Sequence, residues 1–163
     1  MATERDEEVA VRDVMAKYPA TRDNLLDILH ELQAREPQQY LSQEALRATA
    51  DYLGMPLSLV MDAASFYSMY SFQPRGRHVV RVCVSPPCRL FGGESLLGVL
   101  KKRLGVDVGG TGTDGAFTLE TSSCLGACGN APAMMIDGEL FTDLTEAKVA
   151  EVIERVRRTD VKR

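Results

Sequence analysis

Apolar residues recur every three or four positions through the first half of the chain, the spacing of amphipathic helices. In LLDILHEL, Leu25, Leu26, Leu29 and Leu32 fall on one helical face. LSQEALRATADYLG repeats the pattern with Leu46, Ala50 and Leu53, and it supplies Ser42 as an N-cap and Gly54 as a C-terminal stop. A third helix is expected from PLSLVMDAASFYSMY, with Pro56 near its first turn and Leu59, Val60, Ala63, Ala64 and Tyr67 inward. The aromatic stretch SFYSMYSF reads either as core or as an interface. Pro74 and Gly76 then mark a linker.

Beyond the linker the period changes. HVVRVCV alternates, with Val80, Val82 and Val84 on one face, so Cys83 is expected near a strand end. GGESLLGVLKKRLG returns to helical spacing through Leu96, Leu97, Leu100 and Leu104 and stops at Gly105. AFTLETS reads as a second strand, and AMMIDGELF as a hairpin turning at Asp137-Gly138. TEAKVAEVIERVRR closes the chain with Val149, Val152, Ile153 and Val156 on one face and Thr145 as its cap. The expected order is strand, helix, strand, strand, strand, helix: an α/β unit with a small mixed sheet, preceded by a helical bundle. The boundaries are 1–73 for the helical region and 78–163 for the α/β domain.

Composition narrows the function classes. The 163 residues carry a net charge of -4, which argues against free nucleic-acid binding. RVRRTDVKR, the one basic cluster, fits a helix end complementing its own dipole, followed by a frayed tail. No apolar run approaches the roughly 18 residues of a membrane span. MATERDEEVA lacks the apolar stretch of a secretory signal. A cytoplasmic protein without direct membrane insertion is expected, with reduced thiols.

All four cysteines lie in the second half, as CVSPPC (Cys83, Cys88) and CLGACG (Cys124, Cys128). Disulfides fit a reduced compartment poorly. Structural zinc takes four thiolates, but its pairs are usually closer than Cys-x4-Cys and Cys-x3-Cys. A 2Fe-2S cluster takes two thiolates per iron and is a larger object, which suits wider loops. The small residues of CLGACGNAP let backbone N–H groups approach sulfur, and Pro86 and Pro87 stiffen the other loop. His30 and His78 are not beside a cysteine, which argues against a Rieske-type site. GTGTDG matches a dinucleotide fingerprint, but it follows a helix and leads into a strand, so it reads as a loop. No nucleophile–base constellation stands out. The cluster and the zinc-stabilised adaptor both remain open on these grounds.

VRVCVSPPC followed by DGAFTLETSSCLGACGNAPAMMIDGELFTDLT strongly resembles the thioredoxin-like 2Fe-2S ferredoxin family, and the helical first half resembles that family's N-terminal region. Members include the small iron–sulfur subunit of NADH:quinone oxidoreductase (respiratory complex I) and related subunits of NAD-linked formate dehydrogenases and hydrogenases. The resemblance implies one 2Fe-2S cluster on Cys83, Cys88, Cys124 and Cys128, and a thioredoxin-like fold. It implies an electron-transfer subunit that performs no bond chemistry alone. It further implies a flavoprotein partner that binds FMN and NAD(H) and carries its own 4Fe-4S cluster, with a larger hydrogenase or formate dehydrogenase subunit as a further partner. SPPC departs from many members, which have bulkier or polar residues before the second cysteine, and proline cannot donate an N–H to the cluster.

Overall fold

The structure is a computed structural model and describes residues 11–160. The MATERDEEVA stretch and the last three residues of the basic tail lie outside the described residues. The chain divides into two compact units between Arg75 and Gly76.

Among the described residues the first unit packs three long helices, α1 (Leu25–Arg35), α2 (Gln43–Leu53) and α3 (Leu57–Phe66), and residues 11–15 are helical as well. Ile28, Leu29, Leu46, Ala50, Val60 and Ala64 interlock in its core together with Val14 and Leu41. Ser42 caps α2 by accepting from the Ala45 N–H at 3.1 Å, and Gly54 ends it with a left-handed φ of 60°. After α3 the chain folds back and is held by the buried Gln33. Its amide donates to the Met69 carbonyl at 2.9 Å and accepts from the Ser71 N–H at 2.8 Å. Leu59 and Tyr67, expected inward, are exposed. The reason is that α3 buries only the stripe through Val60 and Ala64 and ends before Tyr67. The aromatic stretch is divided. Tyr70 is buried and donates to the Leu26 carbonyl at 2.8 Å, whereas Phe66 is 81% exposed.

The second unit holds a four-stranded mixed sheet in the order β2-β1-β3-β4, with β1 (His78–Cys83), β2 (Phe117–Ser122), β3 (Met134–Ile136) and β4 (Glu139–Phe141). β1 runs parallel to β2 and antiparallel to β3, so it is a central strand with neighbours on both sides, and Val79, Val80 and Val82 are all buried. Three helices complete the unit: α4 (Pro86–Leu90), α5 (Gly93–Leu104) and α6 (Glu146–Asp160). The short helix α4 was not anticipated. Proline is favoured at the first helical positions because its fixed φ suits the helix and its missing N–H is not needed there. Leu96 and Leu100 of α5 and Val149 and Ile153 of α6 meet Val80, Leu119 and Met134 of the sheet. Burying each such side chain contributes about 1.5–3 kcal/mol, so this core stands on its own apolar area.

Asp137 and Gly138 form the β3–β4 turn with φ of 50° and 90°. The Asp137 carboxylate also accepts from the Val79 N–H at 2.9 Å and lies 2.5 Å from His78 Nδ1. Thr145 caps α6 by accepting from the Lys148 N–H at 3.2 Å. The stretch from Gly110 to Gly115 is a loop between α5 and β2, where Thr111 forms an isolated bridge with Thr118.

Candidate metal centre

Cys83 is the last residue of β1, and its N–H donates to the Ala133 carbonyl at 3.0 Å. The strand register therefore sets where this thiol sits. The chain then turns through Ser85 into α4, where Cys88 is the third helical residue and buried. Cys83 and Cys88 form one buried cluster with Ala133, and Leu125, Ala127 and Ala131 of the CLGACGNA loop pack against it. That loop leaves β2 at Ser122 and turns at Gly126, whose φ of 76° favours glycine. A short 3-10 turn follows at Cys128–Asn130. Asn130 fastens the loop to the segment before α6, accepting at its carbonyl from the Asp143 N–H at 2.8 Å.

All four cysteines are free thiols and fall into two pairs. Cys83 and Cys88 are buried in one cluster, and each thiol influences the other's ionisation. Cys124 and Cys128 are exposed, with their sulfurs 3.9 Å apart. The pairs feel each other, since the thiols of Cys83 and Cys88 both act electrostatically on Cys128. Among the described residues, no three His, Cys, Asp or Glu side chains surround one point closely enough for a single metal ion.

Hydrogen-bond donors are aimed at these sulfurs. The Ser85 hydroxyl lies 3.2 Å from Cys83 Sγ, and the Ser85 and Leu125 N–H groups are near enough to favour its thiolate. The Ala133 N–H is near enough to favour the Cys88 thiolate, and the Gly126 N–H reaches Cys124 Sγ at 3.4 Å. N–H groups from residues 124–133 thus face both sulfurs of the first pair. Burial pushes the Cys83 thiol up, but the bonds from Ser85, Cys88 and Leu125 outweigh it and bring it down to about 7. Burial and the bond to Cys83 push the Cys88 thiol up. The bond to Cys124 and the Cys124 charge raise Cys128. These are surroundings in which one thiolate of a pair is favoured and a second needs a positive counter-charge, which metal ions supply.

Space is the remaining element of the site. A Cβ placed on Gly93 would meet the Cys88 carbonyl oxygen at 2.7 Å and the Cys83 carbonyl oxygen at 3.4 Å. The start of α5 can therefore lie against the first cysteine segment only because residue 93 has no side chain. Gly93, Ser85 and Ala133 were not singled out from the sequence. Ser85 and Gly93 sit beside the first cysteine pair in the chain, but their aim at it is a matter of folding. His78 is remote from this chemistry. It lies between Asp137 and Asp160, with Nε2 3.0 Å from the Asp160 carboxylate.

Comparison with known proteins agrees with this geometry. Residues 11–157 match the family model described as thioredoxin-like [2Fe-2S] ferredoxin. An NADH-quinone oxidoreductase subunit of Pseudomonas aeruginosa is 37% identical over 148 residues, which cover 91% of this chain and 88% of that one. Its counterpart in Mycobacterium bovis, also an NADH-quinone oxidoreductase subunit, is 36% identical over 150 residues. That match covers 92% of this chain but only 59% of the longer mycobacterial protein. Among solved structures, an NAD+-reducing [NiFe]-hydrogenase in the H2-reduced state aligns with a TM-score of 0.73 at 25% identity. The alignment covers 86% of this chain and 23% of that one.

Proposed function

Because the chain belongs to the thioredoxin-like 2Fe-2S ferredoxin family, we propose that Cys83, Cys88, Cys124 and Cys128 hold one 2Fe-2S cluster and that the chain is an electron-transfer subunit of an NAD(H)-linked oxidoreductase. The observation that carries the ligand assignment is the division into two thiol pairs, one buried at the end of β1 and in α4, the other on the loop that packs against it. Two pairs serve two irons, whereas structural zinc takes all four thiolates around one centre. When bound, the cluster supplies a one-electron redox centre.

The chain's own residues do the rest. Cys83 and Cys88 bind from the end of β1 and from α4, both buried. Cys124 and Cys128 bind from the exposed loop, on the side open to a partner. Leu125, Ala133 and Gly126 donate N–H groups that stabilise charge on the thiolates. The relatives named as subunits of NADH-quinone oxidoreductase, and the likeness to an NAD+-reducing hydrogenase, support an assembly of that class. The expected neighbour is a flavoprotein that binds FMN and NAD(H). The first 73 residues are read as a docking region for that neighbour, on account of exposed apolar side chains such as Phe66.

The test is iron and acid-labile sulfide per chain, with the visible spectrum, for the wild type and for each cysteine replaced by serine. Two irons and two sulfides are expected in the wild type, and a lost or altered spectrum in each variant. A colourless protein holding one zinc per chain refutes the cluster. A variant with unchanged iron, sulfide and spectrum removes that cysteine from the ligand set.

A further inference from the structure

Ser85 stands at the N-cap of α4, where a serine ordinarily turns its oxygen to accept from the N–H of the second or third helical residue. Here the second helical residue is Pro87, which has no N–H, so the Cys88 N–H is the one such donor left for a cap. The Ser85 side chain makes no cap bond. Its hydroxyl is instead 3.2 Å from Cys83 Sγ, in a position where both residues are buried.

We propose that Ser85 is a tuning residue whose hydroxyl, which makes no cap bond, donates to Cys83 Sγ and raises the reduction potential of the cluster. The inference rests on Cys83 being a cluster ligand, as proposed above. A thiolate ligand has no proton to give, so the hydroxyl must be the donor. A donor withdraws charge from the ligand sulfur and so favours the reduced, more negative cluster. Cys83 is 2% exposed, so water does not replace the bond when the hydroxyl is removed. The Ser85 and Leu125 N–H groups stay in place whatever the side chain at 85, which isolates the hydroxyl's share. Pro86 and Pro87 thus withdraw two backbone donors from the segment, and the hydroxyl between Cys83 and those prolines supplies one in return.

The experiment is a redox titration of the full chain with its reconstituted cluster, followed by visible absorption, comparing wild type with Ser85→Ala and Ser85→Thr. Ser85→Ala is expected to weaken reduction about tenfold, which is about 59 mV to the negative for one electron. Ser85→Thr keeps the hydroxyl and is expected to stay near the wild-type potential. Equal potentials in all three proteins, at equal iron and sulfide content, overturn the proposal. So does an equal shift in both variants, which would report a change of shape. If Ser85→Ala holds no cluster, the isosteric pair Ser85→Thr and Ser85→Val decides. A more negative valine variant supports tuning, an equal or higher one overturns it, and failure of valine as well as alanine to assemble makes the hydroxyl an assembly element and overturns it too. A wild type without iron and sulfide refutes the ligand assignment itself, a result distinct from any of these.

Discussion

Two glycines of α5 should respond in opposite directions to the same substitution. Gly93→Ala places a methyl group 2.7 Å from the Cys88 carbonyl oxygen and 3.0 Å from its carbonyl carbon. Both are backbone atoms, so relief requires moving the residue that carries Cys88 or backing α5 away from the sheet. Forcing an extra carbon into such a contact costs about 1–3 kcal/mol. Gly98, five residues along the same helix, has nothing within 4 Å of the added carbon and no left-handed φ. Gly98→Ala should therefore stabilise by about 0.5–1 kcal/mol, the ordinary glycine penalty in a helix. The two variants should differ by roughly 1.5–4 kcal/mol on these figures. The choice of signal matters. The chain has no tryptophan, and all five tyrosines precede the second unit, so tyrosine fluorescence reports only the helical unit. Urea unfolding should instead be followed by amide hydrogen exchange of β1 and β2, with iron content measured on the same samples. Gly93→Ala should exchange faster and hold less iron, and Gly98→Ala should exchange more slowly with iron unchanged. Equal protection and equal iron in the two variants would refute the steric argument.

Three further outcomes follow from the same geometry. Leu100→Ala removes a fully buried side chain from the sheet core and should cost about 2–5 kcal/mol, read by the same exchange experiment. Arg77 sits 3.0 Å from the Asp160 carboxylate and, with His78, holds its pKa below 3.8. A lowered carboxyl stabilises the fold above its unfolded pKa and loses that contribution as pH falls through the folded one, so the loss begins below about 4. Arg77→Gln should move the Asp160 titration upward in carboxyl NMR, and an unmoved titration contradicts the pairing. Deleting residues 1–73 should leave a chain that still holds iron but no longer co-purifies with the flavoprotein proposed above as its neighbour; undiminished co-purification removes the docking role.

Much of this was legible in the sequence for physical reasons. Ser42, Gly54, Thr145 and the Asp137-Gly138 turn each act within a few residues of themselves, so their roles follow from local stereochemistry. The leucine and valine periodicities located every long helix among the described residues, because one-sided burial is what creates such patterns. Leu59 and Tyr67 were misjudged because an apolar residue at the right spacing does not reveal where the helix stops or how wide its buried stripe is. The short helix α4 went unseen because two consecutive prolines read as a stiff loop until their position at a helix start is known. Ser85 facing Cys83, and Gly93 touching the Cys88 backbone, depend on tertiary placement that no spacing encodes.

The position of Cys83 at the tip of β1 sets where this gene can tolerate change in length. Successive strand residues point to opposite faces, so inserting or deleting a single codon within His78–Cys83 would turn Cys83 away from Cys88 and expose the valines that now face the core. The loop from Val106 to Gly115 joins α5 to β2 without carrying a thiol, and length can vary at its exposed turns, around residues 107–108 and 113–114, outside the backbone bonds that Gly109, Gly110 and Gly112 make to β2. Length variants of this protein are therefore expected to collect in that loop, with the six codons of β1 kept at constant spacing.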